Sequence, residues 1–128
     1  MGEVVEVRKS GGVYYIKFED DSKAYLATEV EGGVMKLIET YVPESKRGQG
    51  VARVLVEKAV EDAVRSGLKV LPICSYAVWY FMKNRDRREV LVDELKALSD
   101  EGWTQLYEAR RVAEASKRSK EGSTSSLT

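Results

Sequence analysis

Histidine is absent from this 128-residue chain, and cysteine occurs once, as Cys74. A disulfide framework within the chain is therefore excluded, and so is every zinc site built from His and Cys. No metal is expected. Charge of one sign is lacking as well: 21 Lys and Arg offset 21 Asp and Glu. No global field then draws the chain to nucleic acid or to an anionic membrane. No apolar run approaches the roughly 20 residues that cross a bilayer. The start, Met1-Gly2-Glu3, lacks the charged-then-apolar pattern of a secretion signal, so a cytoplasmic location without a membrane partner is expected. Only two Gln and one Asn stand beside the heavy use of Glu, Lys and Arg, a bias typical of thermophile proteins.

What is present suffices for one domain with a real core: 43% apolar and 33% charged residues is an ordinary globular balance, and two full domains do not fit this length. The first third alternates with the period of half-buried strands. Runs at 4–8, 13–19, 24–30 and 34–42 are separated by Gly11-Gly12, Asp20-Asp21-Ser22 and Gly32-Gly33 and closed by Pro43, a meander punctuated by turn chemistry. Residues 51–66 switch to helical period, with Val54, Leu55, Ala59, Val60 and Ala63 on the inward side and Gly67 as terminator. A short fifth strand at 68–74 follows, and a strand–helix–strand unit of this length implies a parallel pair with a right-handed crossover. An aromatic helix at 76–84 with Ser75 as its cap, a helix at 89–98 and a helix at 100–120 capped by Ser99 complete the reading. The fold class is thus α/β (α+β). The domain is expected at 1–98, a helical extension at 99–118 and a disordered, Ser/Thr/Gly-rich tail at 119–128.

The informative segment is Val42-Pro43-Glu44-Ser45-Lys46-Arg47-Gly48-Gln49-Gly50-Val51-Ala52, between a strand end and a helix start. The first turn of a helix leaves N–H groups without partners and carries the positive end of the macrodipole, which makes it a seat for phosphate. Gly48 and Gly50 remove side chains that would block approach, Ala52 keeps the next turn small, and Lys46 and Arg47 add charge. A dinucleotide site would need Gly-x-Gly-x-x-Gly and a P-loop would need Gly-Lys-Ser/Thr, and neither occurs. A bare Gly-x-Gly is more often an unliganded turn, but this one follows a strand of a parallel pair, where open α/β sheets place their ligands.

These residues resemble the GNAT superfamily of N-acetyltransferases. Its signature Arg/Gln-x-x-Gly-x-Gly/Ala is represented by Arg47-Gly48-Gln49-Gly50-Val51-Ala52. Thr40-x-Val42-Pro43 before the signature and Gly67-Leu68-Lys69-Val70-x-Pro72-x-Cys74 after it look like the small YjdJ-type branch. The resemblance spans residues 15–84. It implies a GNAT-like mixed sheet in which an antiparallel meander precedes a β-α-β unit with splayed parallel strands. It implies that Val42, Lys46, Arg47, Gly48, Gln49, Gly50, Val51 and Ala52 hold acetyl-CoA, its pantetheine arm entering the splay. Pro72 fits this, since proline removes a ladder donor where pairing already fails. The branch commonly carries His-Thr where this chain has Glu39-Thr40, and Cys-Pro where it has Cys74-Ser75.

The chemistry then falls to few side chains. Tyr80, like the family's tyrosine on the helix after the fifth strand, is the candidate acid for the departing CoA sulfur, with Tyr76 one turn earlier as the alternative. Packing within the cluster of Tyr76, Trp79, Tyr80 and Phe81 is the competing reading. Glu39 is the better base candidate and Glu44 the weaker, as a carboxylate near a strand end usually serves solubility. Cys74 is either a small buried hydrophobe or a thiol facing the acetyl group, the latter needing a depressed pKa. The leading function is acetyl-CoA-dependent N-acetyl transfer by direct attack of a primary amine: a protein lysine, an N-terminus, a polyamine or another small amine. A non-catalytic CoA-binding or interaction module on the same scaffold is the alternative. Nucleic-acid binding through Lys46, Arg47, Arg110-Arg111 and Lys117-Arg118 is opposed by the zero net charge. The stripe of Trp103, Leu106 and Tyr107 on the last helix needs a partner surface, and a homodimer is one way to supply it.

Overall fold

The computed structural model describes the backbone of residues 6–127 and the side chains of 6–117. Five strands form one sheet in the order of the chain: β1 (Arg8–Ser10), β2 (Val13–Lys17), β3 (Lys23–Glu31), β4 (Val34–Tyr41) and β5 (Lys69–Pro72). The first four run antiparallel, and β4 and β5 are parallel, joined across α1 (Val51–Arg65). This is the mixed sheet expected from the sequence.

The first strand lies later than expected. Ser10 pairs with Val13 across the two-residue Gly11-Gly12 loop, so the hairpin draws residues 8–10 into the ladder; residues 1–5 lie outside the described part. A Cβ at Gly12 would collide with the carbonyl of Thr28, and only glycine lets this turn lie against β3.

One sheet face, with Tyr14, Ile16, Ala24, Leu26, Met35 and Leu37, is buried against α1, which contributes Val51, Leu55, Val56, Ala59, Val60 and Ala63. Val54 was expected inside but is exposed, with Val51 and Val56 facing inward in its place. The Tyr14 hydroxyl donates to Asp62 Oδ2 at 2.8 Å and ties β2 to α1. Gly67, at φ +69°, ends the crossover helix as expected.

The fifth strand stops at Pro72 rather than Cys74, because the N–H groups of Ile73 and Cys74 both turn to the one carbonyl of Leu37. Cys74 then takes an extended conformation as the residue before α2 (Ser75–Lys83), without a side-chain cap bond. The continuous helix expected at 89–98 is broken into a 3₁₀ turn over Arg85–Val90 and the single turn α3 (Asp93–Lys96). Leu91 between them pairs with Val70, and the Val92 N–H donates to the Val70 carbonyl, so sheet pairing takes precedence over helical propensity.

Helix α4 (Asp100–Leu127) starts where expected, the Gly102 N–H donating to Ser99 Oγ at 3.0 Å. It packs against α2, with Trp103 fully buried and the Arg88 guanidinium 4.7 Å from its ring centre. The side chains of 118–128 lie outside the described residues, while the backbone of α4 continues to Leu127, through most of the segment expected as a disordered tail at 119–128. Among the described residues, no helix is long and apolar enough to cross a membrane.

Candidate active site

The turn before α1 is shaped by two glycines. After a 3₁₀ turn over Glu44–Lys46, Gly48 and Gly50 adopt φ of +79° and +78°, a region costing other residues about 1–2 kcal/mol. Gly50 precedes the helix without a side-chain cap, and the first turn of α1 carries no acidic residue. Helices usually satisfy their first N–H groups with an oxygen of the chain or place a carboxylate there. Here neither is present, and a Cβ at either glycine would meet open space. Arg47 folds back over the loop, Nε donating to the Val42 carbonyl at 2.9 Å. The Lys46 ammonium lies 4.9 Å from the Phe18 ring centre and 3.9 Å from Asp20.

A cavity of about 650 Å³ opens on this turn. Of the residues expected to hold the cofactor, Val42, Lys46, Arg47, Gly48, Gly50, Val51 and Ala52 line it. Gln49 does not, its amide donating to the Ser45 carbonyl at 3.4 Å. Thr40, Tyr41, Tyr76 and Trp79 close the far wall.

The sheet opens at the same level. Pairing between β4 and β5 ends at Leu37 and Pro72, so beyond Leu37 strand β4 has β3 alone for a partner. Ala27 pairs with Glu39 and Thr28 with Leu37, leaving Ile38 as an extra residue, a β-bulge in β4. Bulges bend a strand and re-aim the side chains after them. Thr40 comes to lie opposite buried Leu26, on the core face, while Glu39 pairs with Ala27 on the other face. There Glu39 Oε2 accepts from the Tyr25 hydroxyl at 3.0 Å, and the Tyr25 and Tyr41 rings lie 5.7 Å apart.

A second cavity, of about 430 Å³, lies beyond the opening and contains Glu39, Cys74, Ser75 and, from α4, Glu114 and Lys117. Thr40, Tyr41, Arg47 and Tyr76 line both cavities, so the two meet where β4 and β5 part. Cys74 is buried, with Sγ 3.2 Å from Thr40 Oγ1, and burial raises its thiol pKa above the usual range. Tyr76 is half-buried, its pKa raised chiefly by burial. Tyr80 is fully buried and lines neither cavity. Its hydroxyl donates to Glu57 Oε2 at 3.1 Å, and burial, then the Glu57 charge, push it up to about 12. Glu44 is exposed and outside both cavities.

A profile described as GCN5-related N-acetyl-transferase matches residues 13–90. The chain belongs to that family. The fold is also similar to the NMR solution structure of a GCN5-like protein from Staphylococcus aureus provisionally described as an N-acetyltransferase. The two are 26% identical, with a TM-score of 0.58 over 68% of this chain and 87% of that one.

Two features of this GCN5-related chain were not read from the sequence. The bulge at Ile38 leaves no signature in an alternating run. Glu114 lies in a helix outside the matched span, yet its carboxylate accepts from the Ser75 N–H at 2.8 Å and from Ser75 Oγ at 2.6 Å. Ser75, expected to cap α2, is instead held by Glu114 at the first turn of that helix.

Proposed function

We propose that the protein transfers an acetyl group from acetyl-CoA to a primary amine by direct attack within a ternary complex. The observation that carries this reading is the meeting of the two cavities at the break between β4 and β5, one floored by the glycine turn before α1 and the other bordered by Glu39. The cofactor residues present fit acetyl-CoA: open N–H groups at the start of α1, no carboxylate in its first turn and Arg47 alongside. When bound, acetyl-CoA supplies the activated acetyl group as a thioester.

The remaining work belongs to the chain. Holding donor and acceptor in the two joined cavities replaces a bimolecular encounter with an oriented one. The unpaired edge of β4 beyond Leu37 offers backbone donors at the place where the acetyl carbonyl gains charge. Glu39 takes the proton from the attacking amine, directly or through water. Tyr76, beside both cavities, is our choice for the group that protonates the departing sulfur, because Tyr80 is committed to Glu57. Cys74 is assigned no covalent step, since only a thiolate attacks and burial disfavours that form.

The test is release of free CoA thiol on mixing the protein with acetyl-CoA and a panel of primary amines. Amine-dependent release is expected. Tight CoA binding without release would leave a binding module on the same scaffold.

A further inference from the structure

Helix α4 brings a primary amine of the chain itself to the acceptor cavity. Lys117 lies one turn beyond Glu114, so the two share a helix face, and both line the cavity that holds Glu39 and Cys74. That turn of α4 is held in place: both carboxylate oxygens of Glu114 accept hydrogen bonds from Ser75, at 2.8 and 2.6 Å. Ser75 follows directly on Cys74, at the edge of the opening between β4 and β5. Below this latch, Trp103 is buried and α4 packs along α2. A lysine on such a helix samples the cavity at high effective concentration, as a diffusing amine does not.

We propose that Lys117 is an acetyl acceptor, and that the protein acetylates its own α4. This rests on the acetyl-transfer reading above, and adds to it a modification site outside the family-matched span. In the step, neutral Lys117 Nζ attacks the thioester carbonyl carbon, a C–N bond forms and the C–S bond breaks. Starting from the ammonium, Nζ gives up two protons to solvent by way of Glu39. The sulfur leaves with its electron pair and takes a proton from Tyr76, which is reprotonated from solvent. The products are acetyl-Lys117 and CoA thiol. The side chain loses its positive charge and leaves an amide in the cavity, so modification and turnover of other amines compete for one space.

The experiment incubates the full chain with acetyl-CoA alone and follows intact mass, with peptide mapping of the modified lysine. A single acetyl group at Lys117 is expected, gained at a rate independent of protein concentration and far above that at Lys69, which is exposed at the other end of β5. Lys117→Arg should not gain it, and Gly50→Val, altered in the acetyl-CoA turn, should gain it much more slowly. Equal acetylation of Lys69 and Lys117, or a rate that rises with protein concentration, would overturn the proposal. So would no acetyl at Lys117 in a preparation that still releases CoA thiol with putrescine. Absence of both reactions would overturn the acetyl-transfer reading as well.

Discussion

Tyr76 and Tyr80 stand one helical turn apart and face different surroundings. Tyr76 borders both cavities, whereas the Tyr80 hydroxyl spends its hydrogen bond on Glu57 of α1. A phenol that donates a proton only as the sulfur departs acts on kcat, typically by about 10²-fold or more. Tyr76→Phe should therefore lower kcat by about that factor with acetyl-CoA affinity nearly unchanged, and Tyr80→Phe should leave kcat close to wild type; stopped-time thiol assays and calorimetric titration read the two quantities. Cys74→Ala gives a companion expectation. With the thiol protonated and packed against Thr40, turnover should survive, and a melting experiment should show only a modest loss of stability.

Among the elements, the decisive junction is the one between β4 and α1. Gly50 at φ +78° lets the helix begin without a side chain over its first N–H groups. Valine there would pay about 1–2 kcal/mol in backbone strain and add bulk where a built Cβ meets only the open cavity. Gly50→Val should bind acetyl-CoA at least several-fold more weakly by calorimetry while its circular dichroism spectrum stays that of the wild type. Tyrosine hydroxyls join neighbouring elements to α1: Tyr14 from β2 to Asp62, and Tyr80 from α2 to Glu57. Both phenols have raised pKa values, with burial the largest cause. A phenol whose pKa is higher folded than unfolded contributes stability that is intact below the unfolded value. That contribution is lost as pH climbs from 10.0 towards about 12 for Tyr80. Thermal melts above pH 10 should thus fall more steeply for wild type than for Tyr80→Phe.

For the molecule as a whole, α4 is an integral part of the packing. The stripe expected to need a partner surface finds one within the chain, with Trp103 in the core and Leu106 and Tyr107 packed against it. Truncating a buried tryptophan costs about 3–5 kcal/mol, so Trp103→Ala should lose about that much in chemical denaturation. The same helix carries Glu114 to Ser75 and Lys117 to the cavity that holds Glu39 and Cys74, so a loss of α4 packing should reach that cavity before the glycine turn ahead of α1.

The strand periods, the Gly-Gly hairpin and the glycine-rich segment before an amphipathic helix are local patterns. They determined the mixed sheet and the glycine turn before α1 from the sequence alone, because turn chemistry and hydrophobic period act over a few residues. Tertiary structure decided the rest. A bulge arises from how β4 meets two neighbours at once, so the face on which Glu39 and Thr40 lie is not set by alternation alone. Leu91 left its helical pattern because Val70 offered a strand edge. Tyr76 rather than Tyr80 faces the opening because α1 places Glu57 beneath one hydroxyl and not the other. Glu114 reaches Ser75 across 39 residues, a pairing of ordinary surface residue types that only the packing of α4 on α2 brings together.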